Sequence, residues 1–412
     1  MRRDGVWRGA LVLGNVKILE VRQETDVVVC RVEPPRRRGP RCGRCGKVCP
    51  WYDPARGPRR WRALDVGCRR AWVEAEVGRV SCPEHGVVVE GVPWAWHGSG
   101  FTRSFEEQVA WLAMECSKTA VGNLMRISWR SVGNILERVA RRLVKPRQMF
   151  ANLRRIGIDE ISYRRGQRYL VVVIDHDTGR LVWAADGRDS ATVGRFFRLL
   201  GPRRCRRITE VSADGATWIT GQVRRHCPQA VIALDPFHAV QWATNAVDQV
   251  RREVWNQARH AGHRGLARAI KRSRWALTKN AEDLTPKQEE RLAWIEEVNQ
   301  PLFRAHLLKE HLRLVFQLPF EEALDLLVEW VEWALYSEIE PFEKLGLTIV
   351  NHIEAIVVTL ERHLSNAIVE ALNTRIRLLT RRAFGFHSAA PLIALATLSF
   401  GGQRPALPGR TV

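Results

Sequence analysis

The sequence contains no apolar run near the roughly 20 residues that a bilayer-spanning helix needs, which argues against an integral membrane protein. Its start, Met-Arg-Arg-Asp-Gly, leads into no apolar h-region of the secretory type, so a cytoplasmic location is expected. Acidic residues are scarce: 44 Asp+Glu stand against 65 Lys+Arg, giving a net charge of +21 and a pI near 10.5. A chain this short of acids suits a phosphate-rich partner, because neutralising backbone phosphates releases counterions. The imbalance is local. Residues 1–150 hold 28 Lys/Arg and only 15 Asp/Glu, whereas Glu321 to Leu345 holds eight acids and one Lys. That acidic stretch is expected to be a packing or partner surface and not to face nucleic acid.

Nine cysteines in a chain without a secretion signal point to metal binding rather than disulfides. Four ligand-type residues form two pairs, Cys42-x₂-Cys45-Gly and Cys82-x₂-His85-Gly, separated by 36 residues of strand-like pattern. Two such knuckles suit one tetrahedral, structural Zn²⁺ site. Gly46 and Gly86 would let the backbone turn so that its N–H groups face the sulfurs. Cys49 is a rival fourth ligand. Cys30 and Cys68 sit in strand-like sequence and are expected to be buried hydrophobes.

From Phe101 to Leu143 the pattern is that of three short helices in a helix-turn-helix. Ser128 can cap the third, whose Val132, Ile135, Leu136 and Val139 form a buried stripe. Its other face carries Arg130, Asn134 and Arg138, residue types that can read guanine and adenine edges in a major groove. The basic run from Arg141 to Arg147 reads as a linker.

The next stretch is rich in Val and Ile and punctuated by Gly and Asp: Arg155 to Ser162, Tyr169 to Asp175, then Arg180 to Ala185. A helix (Ala191 to Leu200), a strand (Arg207 to Ala213), a helix (Thr217 to His226) and a strand (Ala230 to Leu234) follow, giving the order β-β-β-α-β-α-β. Asp159 lies on the first strand and Asp214 closes the fourth. Carboxylates at neighbouring strands make a divalent-cation site, and phosphodiester chemistry of this kind uses two Mg²⁺ (or Mn²⁺) ions about 3.5–4 Å apart. A third acid is expected from a later helix. Glu370, in Ser365-Asn-Ala-Ile-Val-Glu-Ala-Leu-Asn373, is the best candidate, because Arg375, Arg377, Arg381 and Arg382 follow it as phosphate clamps.

The motifs Cys42-x₂-Cys45, Cys82-Pro-Glu-His85, Gly157-Ile-Asp-Glu-Ile161, Ser212-Ala-Asp214, Leu234-Asp-Pro-Phe-His238 and Ser365 to Asn373 together resemble the ISL3 family of bacterial insertion-sequence transposases. The resemblance covers nearly the whole chain. It implies an α/β multidomain fold: an RNase H-like mixed sheet with an all-α insertion, preceded by a small β zinc ribbon and a helix-turn-helix. By it, Asp159, Asp214 and Glu370 are the DDE acids, and Asp235 and His238 are the family's Asp-x₂-His signature. Asp235 is the chief rival for an acid.

The expected division is a ribbon (1–97), a helix-turn-helix (98–148), a first catalytic part (149–243), a helical insertion (244–362) and a last catalytic part (363–412). The insertion accounts for the interval of 156 positions between Asp214 and Glu370, set against 55 between Asp159 and Asp214. The implied function is end binding, metal-dependent cleavage and 3′-OH strand transfer on double-stranded DNA. The partners would be terminal inverted repeats and target DNA, with a homodimer or larger assembly on DNA and association with the nucleoid. A DNA-binding regulator, or a nuclease without strand transfer, is the alternative; the presence of all three acids argues against the regulator.

Overall fold

The computed structural model describes residues 3–14, 16–35, 39–164, 166–213, 215–362 and 367–410. Asp214, Ser365 and Asn366 therefore lie outside the described residues. The chain divides into two compact units, residues 1–146 with 377–412, and residues 147–376.

In the first unit a short helix α1 (Arg3–Ala10) precedes seven strands: β1 (Lys17–Gln23), β2 (Val27–Glu33), β3 (Trp51–Asp53), β4 (Pro58–Val66), β5 (Arg69–Glu76), β6 (Arg79–Cys82) and β7 (Gly86–Val89). They form a four-stranded sheet in the order β1-β2-β5-β4 and a three-stranded sheet β3-β6-β7. Alternating residues of the larger sheet (Val28, Cys30, Val32; Ala71, Val73, Ala75) fill one core together with Trp61 and Trp94. The sequence pattern predicts one strand from Ala71 to Val80, but the chain breaks at Gly78 and changes sheets. A Cβ on Gly78 would lie 2.6 Å from the Trp51 ring and 2.7 Å from the Asp53 carbonyl, so only glycine fits at that crossing. Cys30 is buried as expected. Cys68 is not: it occupies the exposed β4–β5 turn beside Gly67 (φ +62°).

Three helices follow, α2 (Arg103–Glu115), α3 (Lys118–Met125) and α4 (Trp129–Leu143), each started by a hydroxyl cap from Thr102, Ser117 or Ser128. A one-turn helix α5 (Pro146–Met149) leads to the second unit.

There, β8 (Arg155–Arg164), β9 (Arg168–Asp175), β10 (Arg180–Asp186), β11 (Glu210–Ala213) and β12 (Val231–Leu234) build one mixed sheet in the order β10-β9-β8-β11-β12. The β10-β9-β8 meander is antiparallel, while β8-β11-β12 run parallel through the crossovers α6 (Ser190–Leu200), α7 (Pro202–Cys205) and α8 (Thr217–His226). Leu170 to Ile174 are all buried, as expected for a strand covered on both faces.

Eight helices fill the insertion: α9 (Pro236–His260), α10 (Arg264–Arg272), α11 (Arg274–Thr278), α12 (Pro286–Val298), α13 (Gln300–Val315), α14 (Phe320–Leu335), α15 (Glu340–Asn351) and α16 (Ile353–Arg362). They share one core in which Trp330 donates its indole N–H to the Leu308 carbonyl (2.7 Å). On α14 the acids Glu321, Glu322, Asp325, Glu329 and Glu332 are exposed, while Ala323, Leu327, Trp330 and Ala334 face inward. This is a mixed α/β chain with a β zinc ribbon, a helix-turn-helix and an RNase H-like sheet carrying a helical insertion.

After α17 (Ala367–Arg382) comes an apolar helix, α18 (Ala389–Phe400). The sequence reading assigns residues 363–412 to the catalytic part, yet from 377 onward they group with the N-terminal unit. The cause is α18, whose apolar residues include buried Leu392, Leu395 and Leu398, and which packs on α4 and α2. Gly133 of α4 lies at this contact, where a Cβ would meet Pro391 at an ordinary 3.5 Å.

Candidate functional site

In the ribbon, Cys42 and Cys45 come from the turn before β3, and Cys82 and His85 from the β6–β7 turn. Gly46 (φ +75°) and Gly86 (φ +64°) take the left-handed backbone that these turns need. The four donor atoms all lie within 4.8 Å of one another. Individual separations are 3.7 Å for Cys45 Sγ to Cys82 Sγ, 3.5 Å for Cys82 Sγ to His85 Nδ1 and 3.8 Å for Cys42 Sγ to His85 Nδ1. Zn–S bonds of about 2.3 Å and Zn–N bonds of about 2.0–2.1 Å in a tetrahedron require separations of about 3.5–3.8 Å. The donor set therefore fits one Zn²⁺. Burial pushes the Cys82 thiol up, but hydrogen bonds from His85 and from the Glu84 and His85 backbone outweigh it and bring it to about 6. Cys49 is not in the cluster; its buried thiol donates to the Lys47 carbonyl (3.4 Å).

On α4, Val132, Ile135, Leu136 and Val139 are fully buried, and Arg130 and Asn134 are exposed on the opposite face. Arg138 does not belong with them. Its Nε donates to Glu106 Oε1 (2.7 Å), an α2 carboxylate with no exposed surface, so the guanidinium offsets a buried charge between two helices. Arg382 is likewise not a phosphate clamp. It donates to the carbonyls of Met114 and Glu115, capping the C-terminal end of α2. Arg375, Arg377 and Arg381 are exposed on α17.

The sheet site is built where α17 lies along β8. Val369, Leu372, Asn373, Ile376 and Leu379 form the buried stripe of that helix. A Cβ on Gly157 would sit 2.5 Å from Val369, so glycine at that position is what lets the helix come down on the strand. Two residues along the strand, and one turn along the helix, Asn373 Nδ2 donates to Asp159 Oδ2 (2.7 Å). The other oxygen of Asp159 accepts from the Glu160 N–H (2.7 Å). Asn373 is 2 % exposed, and its Oδ1 has no partner among the described residues. Glu370, exposed, stands three residues before Asn373, on the adjoining face of the same helix. The parallel register pairs Ser212 with Gly157, and β11 ends at Ala213, one residue before Asp214. Beneath the helix, His176 Nε2 and Ser212 Oγ are hydrogen-bonded (2.7 Å); burial, then the charge of Arg155, holds His176 below the usual imidazole range.

Asp235 has different work. It is buried, accepts from the Phe237 N–H (3.4 Å) as the cap of α9, and pairs with His238 Nδ1 (3.1 Å). Asn373 is the residue that sequence reasoning passed over. Its signal was a polar side chain at a position where helical spacing demands an apolar one.

A zinc ribbon, a helix-turn-helix and an RNase H-like sheet with an ordered aspartate on its central strand define a nucleic-acid-processing enzyme. Comparison with known families sharpens this. Residues 156–396 match a family model described as a transposase. Residues 90–140 match the helix-turn-helix domain of transposase family ISL3, and residues 38–85 match the zinc-finger of transposase IS204/IS1001/IS1096/IS1165. The chain is 50% identical over 402 residues to the transposase for insertion sequence element IS1557 of Mycobacterium tuberculosis, covering 93% of this chain and 90% of that protein. It is 28% identical over 365 residues to the transposase for insertion sequence element IS1001 of Bordetella parapertussis, covering 88% and 89%. The chain belongs to the ISL3 family of insertion-sequence transposases. Among the described residues no helix is long and apolar enough to cross a membrane.

Proposed function

We propose that this transposase binds its insertion-sequence ends as double-stranded DNA, then cleaves and joins strands with Asp159, Asp214 and Glu370 as its acids. The observation that carries the reading is the Asn373–Asp159 hydrogen bond, because it ties the helix bearing Glu370 to the strand bearing Asp159. Asp214 follows directly on β11, the parallel neighbour of β8. An all-oxygen donor set, with an orphaned buried acceptor on Asn373, fits hard divalent cations. Asp159, Asp214 and Glu370 would hold two Mg²⁺ or Mn²⁺ ions, which would supply nucleophile activation and charge stabilisation for the phosphodiester chemistry. The chain's own part is to orient Asp159 through two neutral donors and to present Glu370 one turn away. The exposed Arg375, Arg377 and Arg381 hold the flanking phosphates. Arg130 and Asn134 contact base edges of the end sequence. An element with two ends calls for at least two copies of the chain on DNA.

The test is Mg²⁺-dependent nicking of labelled end DNA. Asp159→Ala, Asp214→Ala and Glu370→Ala are each expected to lower cleavage by at least about 10²-fold while leaving end binding equal or tighter. Asp235→Asn, which keeps the helix cap, is expected to go on cutting. Near-normal cleavage by the Glu370 variant, with none by Asp235→Asn, would overturn the assignment of the third acid.

A further inference from the structure

The first unit holds a second concentration of positive charge, away from Arg130 and Asn134. A cavity of about 450 Å³ opens between the Cys42–Cys45 knuckle and the start of the helical region, with Arg44, Trp96, His97, Arg103 and Arg142 in its wall. A smaller one of about 210 Å³ continues from it past Arg138, Arg141 and Arg142. Trp96 and His97 line both, so the two form one trough.

Two of the acids near it are engaged elsewhere, and Glu107, one turn from Arg103, is within its electrostatic reach without forming an ion pair with it. Glu106 is buried against Arg138, and the buried Glu90 accepts from the Gly78 N–H (3.1 Å). No described carboxylate pairs with Arg103, Arg141 or Arg142. Burial, and then the charge of Arg142, holds the Arg103 guanidinium below its ordinary value, and the nearby Glu107 on the same helix offsets this only in part. The wall is also built closely. A Cβ on Gly43 would lie 2.7 Å from His97 Nδ1, so the knuckle rests on the segment that leads into α2.

We propose that this trough is a DNA-backbone site, in which the zinc knuckle and the C-terminal half of α4 together grip the phosphates of one strand of a duplex. It rests on the proposed end-binding role of this unit and adds to it a contact that carries no sequence information. From Arg130 to Arg142 is about 18 Å along a helix rising 1.5 Å per residue. An α4 whose N-terminal residues read bases in the major groove therefore brings its other end to the flanking backbone, where Arg141 and Arg142 meet phosphate. The zinc knuckle forms the opposite wall, which gives the ribbon a direct part in binding.

The test uses the full-length protein, with anisotropy titrations on an end duplex, a scrambled duplex and a single strand, over a salt series. Arg103→Ala and Arg142→Ala should each weaken both duplexes alike, by about 5- to 10-fold near 0.1 M salt, and lower the slope of log K against log salt by about 1. Arg142→Lys should restore most of the affinity, and Arg130→Ala should instead lose affinity mainly on the end duplex. Zinc content and melting temperature matching the parent protein establish that the variants are folded. Unchanged duplex affinity and slope in both Arg103→Ala and Arg142→Ala would overturn the proposal, as would a loss confined to the end duplex or to the single strand. If the parent protein binds neither duplex, the end-binding reading itself falls, an outcome distinct from parent-like binding by the two variants.

Discussion

The zinc ribbon and the site on the RNase H-like sheet recruit metal-type ligands by opposite means. In the ribbon three sulfurs and one imidazole nitrogen, carried by two turns, converge to within 4.8 Å and saturate a tetrahedron. In the sheet, Asp159 sits on a central strand with its oxygens held by neutral donors, the Glu160 N–H and Asn373 Nδ2. Each carboxylate oxygen offers two lone pairs, so hydrogen bonds of this kind orient the group without exhausting it. A closed site holds loops together. An open one leaves room for a substrate, and its precision must then come from the protein and not from the ion.

The widest break in the comparison should come from removing a ribbon ligand. Cys82→Ser is expected to lose zinc, unfold the β3-β6-β7 sheet and weaken end binding, because that sheet has only a small core of its own (Cys42, Cys49, Val80, Cys82 and Val88). The RNase H-like sheet has its separate core, so its thermal transition should survive. Metal analysis together with calorimetry checks this: a variant that keeps zinc, or that loses both transitions at once, would show that the two regions are not independent.

A smaller effect is expected where the protein alone supplies the order. Asn373→Ala removes the donor to Asp159 but none of the three acids, and should lower nicking by about 10- to 100-fold. Raised Mg²⁺ should recover part of the loss, which a merely structural defect would not show. Asn373→Asp places a second carboxylate against Asp159, so it should raise the pH at which cleavage sets in. An Asn373→Ala protein with parent activity and parent metal dependence would mean that the hydrogen bond orders nothing of consequence.

These two sites were not equally legible in the sequence. Cys42, Cys45, Cys82 and His85 are readable because ligand pairs with two residues between them, each followed by glycine, have few other uses. The strand order around Asp159 was readable too, since Val- and Ile-rich runs between Asp and Gly turns leave little choice. Arg138 and Arg382 misled, because helical spacing gives the face of a residue but not its partner. Nothing local announces that Glu106 is buried beneath Arg138, or that the end of α2 lies under Arg382. The placement of α18 was hidden for the same reason: an apolar helix of this kind fits any core, and nothing in its own sequence selects α4 and α2 as the helices it packs on.

The finest distinction is between a ligand and a residue that only resembles one, and Cys49 provides it. It lies four residues from Cys45, is buried, and packs with Cys42 and Cys82, so by spacing it competes for the fourth position. Its thiol, however, points to the Lys47 carbonyl, and burial together with its neighbour Cys82 pushes it above the usual thiol range. A thiol turned to a backbone carbonyl is not aimed at the point where Cys42, Cys45, Cys82 and His85 converge, and Cys49 lies outside that group. Cys49→Ala should therefore retain about one zinc per chain and parent-like end affinity, in contrast to Cys82→Ser. Zinc quantification on the two variants side by side decides it. Loss of zinc from Cys49→Ala, with retention when His85 is replaced, would transfer the fourth ligand to Cys49 and make the site all-sulfur.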